Sequence, residues 1–350
     1  MNPRLCLLPF IAIVVMLIAW FALFGGMGEQ PGDVSIAVTG DVMFARNMAG
    51  VLSSGESPFA NVSNVTSNVD LLLINFENAA TSSNNAVKSD IPLKCDPKFV
   101  DLARANNNTV AALANNHVCD YGIDGMRDTI SNLEKANITH FGAGENEDEA
   151  HKPVSQVING RNISIFNYMD SNNFAEYSYD QIPYANGSSP GYSAYGSDVA
   201  QKQISEAKKA GNVVIVFMHY GNEYSLSPNS DQTKISHELI DAGADVVIGS
   251  HPHVVQGIEM YNGKPIFYSL GDFIFDLQRE NTLDSYFVQI DLVNDTGVCT
   301  VYPVHLTNYV PHYVDADSGN ALLNSLSPKC SEMEINDGIG KLKFNLTEGD

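Results

Sequence analysis

Short apolar runs alternate with amphipathic segments along most of the chain, and this alternation predicts the secondary structure. Five runs have the length and composition of buried strands. They are VSIAVTGD (34–41), DLLLINF (70–76), NTVAALANNH (108–117), NVVIVFMHYG (212–221) and AGADVVIG (242–249). Helical patterns are predicted after the first strand through Leu52 and at 96–107, 123–137, 197–211 and 231–243. Strands that alternate with helices are typical of an α/β domain with parallel central strands.

Two Asn-Gly pairs add antiparallel strands to this pattern. The pairs at 159–160 and 262–263 each lie between apolar runs, which predicts a tight hairpin at both positions. Two further strands are predicted between residues 286 and 305. The sequence therefore predicts one layered α/β domain with mixed sheets over residues 34–306. Two regions lack a periodic pattern, a polar loop at 170–196 and a C-terminal extension at 307–350.

The N-terminus carries the longest apolar segment. Residues 5–28 contain no charged side chain, and this length is sufficient to cross a bilayer. Arg4 precedes the segment and acidic residues follow it, so the positive-inside rule places the rest of the chain outside the cytoplasm. We therefore predict a single transmembrane helix within residues 1–28 that anchors an extracytoplasmic domain in the cell membrane. The alternative is a cleaved signal peptide and a secreted protein.

Two residue types agree with an extracytoplasmic location. Glycosylation sequons of the form Asn-x-Ser/Thr begin at Asn61, Asn64, Asn107, Asn137, Asn162, Asn186, Asn294 and Asn345. The cysteines beyond the apolar segment are Cys95, Cys119, Cys299 and Cys330. They allow either disulfides, in three connectivities, or free buried thiols.

The chain is strongly acidic. It has 41 Asp and Glu against 19 Lys and Arg, a formal net charge of −22. Nucleic-acid binding depends on a basic surface, so the sequence argues against a nucleic-acid partner. Solubility is the simplest explanation of the excess acid.

Most of the predicted strands end in a side chain that can bind a metal or a proton. The residues at or just after these strand ends are Asp41, Glu77, Asn116, His117, His219, His251 and His253. Each alone has a common structural explanation, such as a helix cap or a polar turn. Parallel strands place their carboxyl ends at one edge of a sheet, so we expect these side chains to converge. Carboxylate, amide and imidazole donors without thiolate suit Mn, Fe, Zn or Ni.

The motif Gly-Ser-His-Pro-His-Val-Val-Gln at 249–256 contributes two of the histidines. Pro252 disfavours the helical region for His251, which predicts an extended backbone there. Positions i and i+2 of an extended chain point to the same side. We therefore expect His251 and His253 to point together from this loop.

Six motifs identify a family that the sequence resembles. GDVM, NFEN, ANNHVCDYG, HYGNEY, GSHPHVVQ and YSLGDF occur in this order, from residue 40 to 272. The set resembles the CapA-type proteins of poly-γ-glutamate capsule biosynthesis, the PGA_cap family. Those proteins are similar in fold to the calcineurin-like metallophosphoesterases. The resemblance therefore implies an α/β/β/α arrangement with central mixed sheets.

The resemblance also implies a role for each donor. The implied ligands are Asp41, Glu77 and His253 for one divalent metal and Glu77, Asn116, His219 and His251 for a second, with Glu77 bridging. One or two divalent transition metals (Mn, Fe or Zn) would activate a water molecule. His117 matches the position that contacts the substrate and protonates the leaving group in the phosphoesterases. Asp120 is a candidate to orient His117.

The sequence departs from the phosphoesterase pattern in the first and last motifs. Met43 replaces a histidine, and a thioether is a poor ligand for a hard divalent ion. We therefore expect the metal at His253 to be held more loosely than the metal at His251. Asp272 replaces the asparagine that is usual in the CapA group and adds a negative charge if it lies near the site. The candidates for substrate binding or for support of the ligands are Arg46, Glu223, Gln256 and Asp272.

The sequence leaves three functions open. The leading prediction is a membrane-anchored, metal-dependent hydrolase or transferase that acts on a phosphoester or a γ-glutamyl amide. Its substrate would be an envelope polymer such as poly-γ-glutamate or a small anionic molecule. The alternative is a non-catalytic component that binds or exports the polymer with capsule-synthesis membrane proteins. A secreted nucleotidase is less favoured, because no C-terminal base-binding domain is recognisable.

Overall fold

The structure, a computed structural model, describes residues 31–87, 90–171, 183–328 and 330–347. The predicted membrane anchor at 1–28 lies outside these residues, as does part of the predicted loop at 170–196. Within the described ranges, no helix combines the length and the apolar character that a membrane span requires.

Strands dominate the described chain. They are β1 (Val34–Val42), β2 (Leu71–Phe76), β3 (Ala79–Ala80), β4 (Lys94–Cys95), β5 (Thr109–Ala112), β6 (Thr139–Phe141), β7 (Ala143–Gly144), β8 (Val154–Ile158), β9 (Arg161–Met169), β10 (Gly191–Tyr192), β11 (Val213–His219), β12 (Val246–Ser250), β13 (Ile258–Tyr261), β14 (Lys264–Phe267), β15 (Asp272–Ile274), β16 (Asp284–Val293), β17 (Thr296–Thr307), β18 (Val310–Tyr313), β19 (Glu334–Asn336) and β20 (Ile339–Asn345). The α-helices are α1 (Met48–Leu52), α2 (Ser63–Thr66), α3 (Gly122–Lys135), α4 (Glu147–Ala150), α5 (Ser197–Lys209), α6 (Ser230–Asp241) and α7 (Ala316–Leu326). Short 3₁₀ helices span Ala60–Val62 and Pro97–Ala103.

Two mixed sheets form the centre of the fold. The larger has ten strands in the order β19-β20-β17-β16-β1-β2-β5-β6, with β15 beside β1 and β18 beside β17. Its strands β1, β2, β5 and β6 are parallel, and β16 joins β1 antiparallel. The smaller has six strands in the order β13-β14-β12-β11-β9-β8. Strands β9, β11, β12 and β14 are parallel, and the antiparallel edge strands arise from the two predicted Asn-Gly hairpins, which are confirmed.

Alternate positions along the strands divide the apolar residues among three cores. In β1, Ile36 and Val38 face a core that also contains Ile215 and Phe217 of β11, so this core lies between the sheets. The opposite face of the larger sheet packs under α3, and the opposite face of the smaller packs under α5 and α6. The fold is therefore a mixed α/β domain whose central sheets have helices on their outer faces, as the alternating pattern predicts.

The structure differs from the sequence expectations in two elements. The segment predicted as a helix at 96–107 is a 3₁₀ helix, Pro97–Ala103, capped by the Asp96 side chain. The C-terminal extension, which had no assigned element, contributes α7 and three strands, and β20 pairs with β17 over six residues. Buried and exposed positions alternate along β20, which is a strand pattern. The reason for this alternation becomes clear only when β17 is known as the partner strand.

The four cysteines of the described chain, Cys95, Cys119, Cys299 and Cys330, are buried free thiols. The sequence allowed either disulfides or free buried thiols, and the described chain contains free thiols. Burial raises the pKa of each thiol, so the cysteines remain protonated at neutral pH.

Candidate metal centre

The predicted donors meet at the ends of strands from both sheets. Asp41 lies in β1 and Glu77 follows β2, in the larger sheet, whereas His219 ends β11 and the other two histidines follow β12, in the smaller. The expectation of a single sheet edge was therefore wrong. The parallel strands of two facing sheets end at the same place, and the donors gather between them.

Two overlapping groups of three buried donors result. Glu77, His219 and His251 form one group, and Asp41, Glu77 and His253 form the other. Within each group the ligand atoms lie within 4.8 Å of one another. Glu77 belongs to both groups, so one carboxylate is shared between them.

Asn116 and Ser250 fix the orientation of His219. The Nε2 atom of His219 lies 2.8 Å from Asn116 Oδ1 and 3.9 Å from Glu77 Oε1, while its Nδ1 lies 3.1 Å from Ser250 Oγ. The ring therefore presents Nε2 to the donor cluster and Nδ1 to the protein. This division between the two ring nitrogens is typical of a metal-binding histidine.

The loop that carries His251 and His253 has a different backbone from the predicted one. Both histidines have positive φ, 98° for His251 and 58° for His253, so the expected extended conformation is wrong. Left-handed backbone is costly for a bulky residue and persists where the surrounding structure enforces it, often at functional sites. The backbone N–H of His251 donates to Asp41 Oδ2 at 3.3 Å, and the imidazole rings of His251 and His253 lie 6.1 Å apart.

Asn75 connects the donors and was missed by the sequence analysis. Its buried Nδ2 donates to Asp41 Oδ1 at 2.7 Å and to Glu77 Oε2 at 3.2 Å. Its own Oδ1 accepts from the amide of Asn115 at 3.1 Å, which fixes the direction of the side chain. Asn75 lies two positions before Glu77, the spacing at which strand residues share a face, so the sequence did contain a signal.

His117 and Asp120 form a buried pair. The Nδ1 atom of His117 lies 2.6 Å from Asp120 Oδ2, which also accepts from the backbone N–H of Leu93. An N–H on Nδ1 that donates to the carboxylate fixes the tautomer and leaves Nε2 for a second partner. The structure thus brings together the histidine and the acid that the sequence proposed as its orienter.

Asp272 lies beside His253. Its Oδ1 is 2.8 Å from His253 Nδ1, and Asp41 Oδ2 is 3.5 Å from the same nitrogen. Burial raises the pKa of Asp272 to about 7. Burial and the adjacent Asp41 raise the pKa of Glu77 above its usual range. Burial disfavours the imidazolium form of His253, but Asp272 and Asp41 outweigh this effect and raise the pKa of His253.

The other candidate residues lie around the cluster rather than in it. Arg46 forms an ion pair with Asp276, and its guanidinium carbon lies 5.6 Å from the centre of the Phe275 ring. Glu223 lies on an exposed part of the loop after β11. Gln256 is buried, but it bonds to Gln232 and to the carbonyl of Ser225, so it supports a neighbouring loop.

The donor set fits a divalent cation. Three carboxylates, those of Asp41, Glu77 and Asp272, are fully buried in one cluster. Glu77 Oε1 and Asp272 Oδ2 accept no hydrogen bond within the described part of the chain. Buried carboxylates without partners are costly, and bound cations relieve that cost. The arrangement is therefore that of an α/β protein whose buried carboxylate and imidazole groups could hold a metal ion.

The comparisons with known proteins agree with the six motifs. Residues 35–277 match the family described as "Bacterial capsule synthesis protein PGA_cap", and the chain belongs to this family. The chain is 35% identical to the "PGA biosynthesis protein CapA" of Bacillus subtilis (strain 168), over 97% of this chain and 92% of that protein. It is 32% identical to the "Capsule biosynthesis protein CapA" of Bacillus anthracis, over 89% and 78%. The predicted resemblance to CapA-type proteins is confirmed.

A comparison with solved structures gives only a weak likeness. Chaetomium thermophilum Vps29 matches with a TM-score of 0.34 and 9% identity, over 89% of this chain and 95% of that one. A likeness of this strength supports no functional argument.

Proposed function

We propose that this protein is a metal-dependent hydrolase or transferase with a calcineurin-like fold, and that it acts in poly-γ-glutamate capsule biosynthesis. The observation that carries the proposal is the pair of buried donor groups that share Glu77. A carboxylate shared between two groups of carboxylate and imidazole donors is typical of dinuclear hydrolytic centres. Membership of the PGA_cap family supports the biological process.

The proposed ligands are those predicted from the motifs. Asp41, Glu77 and His253 would hold one metal, and Glu77, Asn116, His219 and His251 would hold a second. The metals would be Mn, Fe or Zn, and in such a centre they activate water and stabilise negative charge on the reacting group. Asn75 would keep the Asp41 and Glu77 carboxylates in place through its amide.

His117 would supply the proton for the leaving group. The Asp120 carboxylate binds the Nδ1 side of its ring, so Nε2 faces away from Asp120 and can donate to an oxygen or nitrogen. Asp120 would stabilise the imidazolium form and hold the ring in one orientation. This role suits a phosphoester and a γ-glutamyl amide equally.

The proposed location is extracytoplasmic, with the chain held at the cell membrane by residues 1–28. The substrate would be the poly-γ-glutamate polymer or a small anionic molecule, with membrane proteins of capsule synthesis as partners. The "PGA biosynthesis protein CapA" of Bacillus subtilis supports this choice of polymer.

A non-catalytic role in polymer binding or export is the second candidate. Met43 favours it, because its sulfur accepts from the Ala45 backbone N–H and its side chain packs in the apolar core. The metal group around His253 thus receives no donor from position 43. A secreted nucleotidase is less well supported, because the C-terminal strands β18–β20 extend the larger sheet instead of forming a separate domain.

The test is turnover by the metal-loaded full chain. We expect hydrolysis or transfer with either a phosphoester panel or poly-γ-glutamate, and loss of turnover when metal is removed by a chelator. Replacing His251 and His253 together by alanine should remove metal while circular dichroism remains that of the wild type. A wild-type protein that binds metal but turns over neither substrate class would favour the binding and export role. If the protein holds less than about 0.1 equivalents of metal after supplementation, the metalloenzyme proposal is excluded, because such a site holds about one or two metal ions.

A further inference from the structure

Asp272 has a carboxylate that the proposed ligand sets do not use. We propose that Asp272 is an additional metal ligand in the group formed by Asp41, Glu77 and His253. This inference rests on the proposed function, because it concerns one metal of the same centre. It assigns a ligand that the phosphoesterase pattern does not contain.

The first observation is the strand register. Strand β15 pairs with β1 in parallel, and Asp272 is the partner of Asp41. Partner residues on adjacent strands point to the same face of a sheet, so both carboxylates project toward the cluster. The backbone N–H of Asp41 donates to the carbonyl of Gly271 at 3.1 Å, which ties the two strand ends together.

The second observation is the spacing of the donor atoms. Asp272 Oδ1 and Asp41 Oδ2 lie 2.8 Å and 3.5 Å from His253 Nδ1. Donors bound at about 2.1 Å to one ion lie about 3 Å apart at octahedral angles and about 3.4 Å apart at tetrahedral angles. Each of the two carboxylate oxygens therefore has the spacing of a neighbouring ligand to His253 Nδ1.

The third observation is the free oxygen of Asp272. The side chain is fully buried, and its Oδ2 accepts no hydrogen bond from any residue that the structure describes. A hydrogen bond to His253 alone requires only Oδ1. A buried carboxylate oxygen without a partner is costly, so a role limited to orienting His253 leaves this cost unexplained.

The fourth observation is the number of donors for each metal. The group around His219 has four, because Asn116 Oδ1 lies 2.8 Å from His219 Nε2 and adds to Glu77 and the two histidines. The group around His253 has three, and the sulfur of Met43 accepts a backbone hydrogen bond in the apolar core instead. Asp272 gives this second group its fourth donor, the number usual for first-row divalent ions in protein sites.

The isosteric change Asp272→Asn separates a ligand from an orienting residue. An asparagine keeps an Oδ1 that can accept from His253, so an orienting role would survive. It removes the negative charge and the second carboxylate oxygen, so metal binding by this side chain would be weakened. Asp276→Asn is the control, because it removes a buried carboxylate four residues away that pairs with Arg46 instead of the cluster.

The measurement is Mn²⁺ binding to the metal-free full chain, by calorimetric titration and by metal analysis after gel filtration. We expect two equivalents in the wild type and in Asp276→Asn. In Asp272→Asn we expect one site to be retained and the other weakened by at least about 10-fold, since even partners outside the ligand shell change metal affinity by 10- to 100-fold. Circular dichroism shows whether each variant is folded.

The outcomes separate this inference from the proposed function. Two equivalents with unchanged affinity in Asp272→Asn would overturn the inference and leave the metalloenzyme intact. One equivalent in the wild type that is unaffected by the change would also overturn it. A wild-type chain that binds no Mn²⁺, Fe²⁺ or Zn²⁺ would instead reject the proposed function.

Discussion

Single side chains define the chemistry of the centre, and Asn75 and His117 illustrate two ways in which they do so. Asn75 contacts two carboxylates of the cluster through one amide nitrogen, so it positions ligands without being one. His117 is hydrogen-bonded to Asp120. The proposed roles of metal binding and proton transfer therefore fall on different residues.

This separation gives a prediction for the His117–Asp120 pair. His117→Ala should lower kcat by about 10²- to 10⁴-fold, the usual contribution of general acid catalysis, while the bound metal is unchanged. Asp120→Asn should also lower kcat, because an amide N–H facing Nδ1 favours the wrong tautomer. The measurements are kcat on the substrate class that is turned over, its pH profile and the metal content.

The pH profile checks this role. A general acid acts only while it is protonated, so His117 should give the fall in rate at high pH. We expect this fall to disappear in His117→Ala and to shift in Asp120→Asn. Wild-type rates in His117→Ala would show that another group protonates the leaving group. Loss of metal in either variant would instead place the pair among the supports of the metal centre.

At the scale of elements, two glycines lie where the end of β1 approaches the start of β15. A Cβ at Gly40 would lie 1.9 Å from the carbonyl oxygen of Gly271, which is closer than any atom can approach. The absence of a side chain at Gly40 therefore allows the two strand ends to meet. Asp41 and Asp272, the residues that follow these glycines, are brought side by side as a result.

The close approach predicts that Gly40→Ala is destabilising. The added methyl group must displace the backbone at Gly271, and overpacking of this kind costs about 1–3 kcal/mol. Gly50→Ala is the control, because Gly50 lies in α1 and a Cβ there meets no atom within 4 Å. We expect Gly50→Ala to be neutral or slightly stabilising, since alanine is the better helix former.

Urea unfolding of the metal-free chain measures both changes. The free energy of unfolding should fall in Gly40→Ala only. Equal stability of the two variants would show that β15 moves away from β1 without cost, and the strand register would then be loosely determined.

At the scale of the whole molecule, the C-terminal strands belong to the same folding unit as the metal centre. Strand β20 pairs with β17, and its residues Leu342 and Phe344 are buried in the core between the sheets. The same core contains Phe217 of β11, whose strand ends at His219. Loss of packing at the C-terminus therefore affects the core that lies beneath the centre.

This arrangement predicts that Leu342→Ala lowers the free energy of unfolding by about 2–5 kcal/mol, the range for buried leucines. Val157→Ala is the control, because Val157 is 69% exposed at an edge strand. Denaturant unfolding followed by fluorescence should remain a single transition in both variants. A separate early transition in Leu342→Ala would indicate that the segment after Thr307 unfolds independently of the sheets.

The sequence determined the strands, the hairpins and most of the donor residues, because each depends on local information. Period-two burial marks the strands, Asn-Gly marks the turns, and polar residues after apolar runs mark the strand ends. The resemblance to the PGA_cap family was carried by the six motifs, which lie at or near the strand ends. The strand pattern of β20 was visible in retrospect, but a strand can be placed in a sheet only when its neighbouring strands are known.

Only the tertiary structure decided how the donors are assembled. It divides the five strand ends between two facing sheets, gives His251 and His253 left-handed backbones, and places Asn75 and Asp272 against the ligands. None of these follows from local periodicity, because each depends on contacts between residues far apart in the chain. The physical reason is that the alternation along a strand determines on which face of the sheet a side chain lies. The residues that this face contacts are determined by how the strands pair and how the sheets pack.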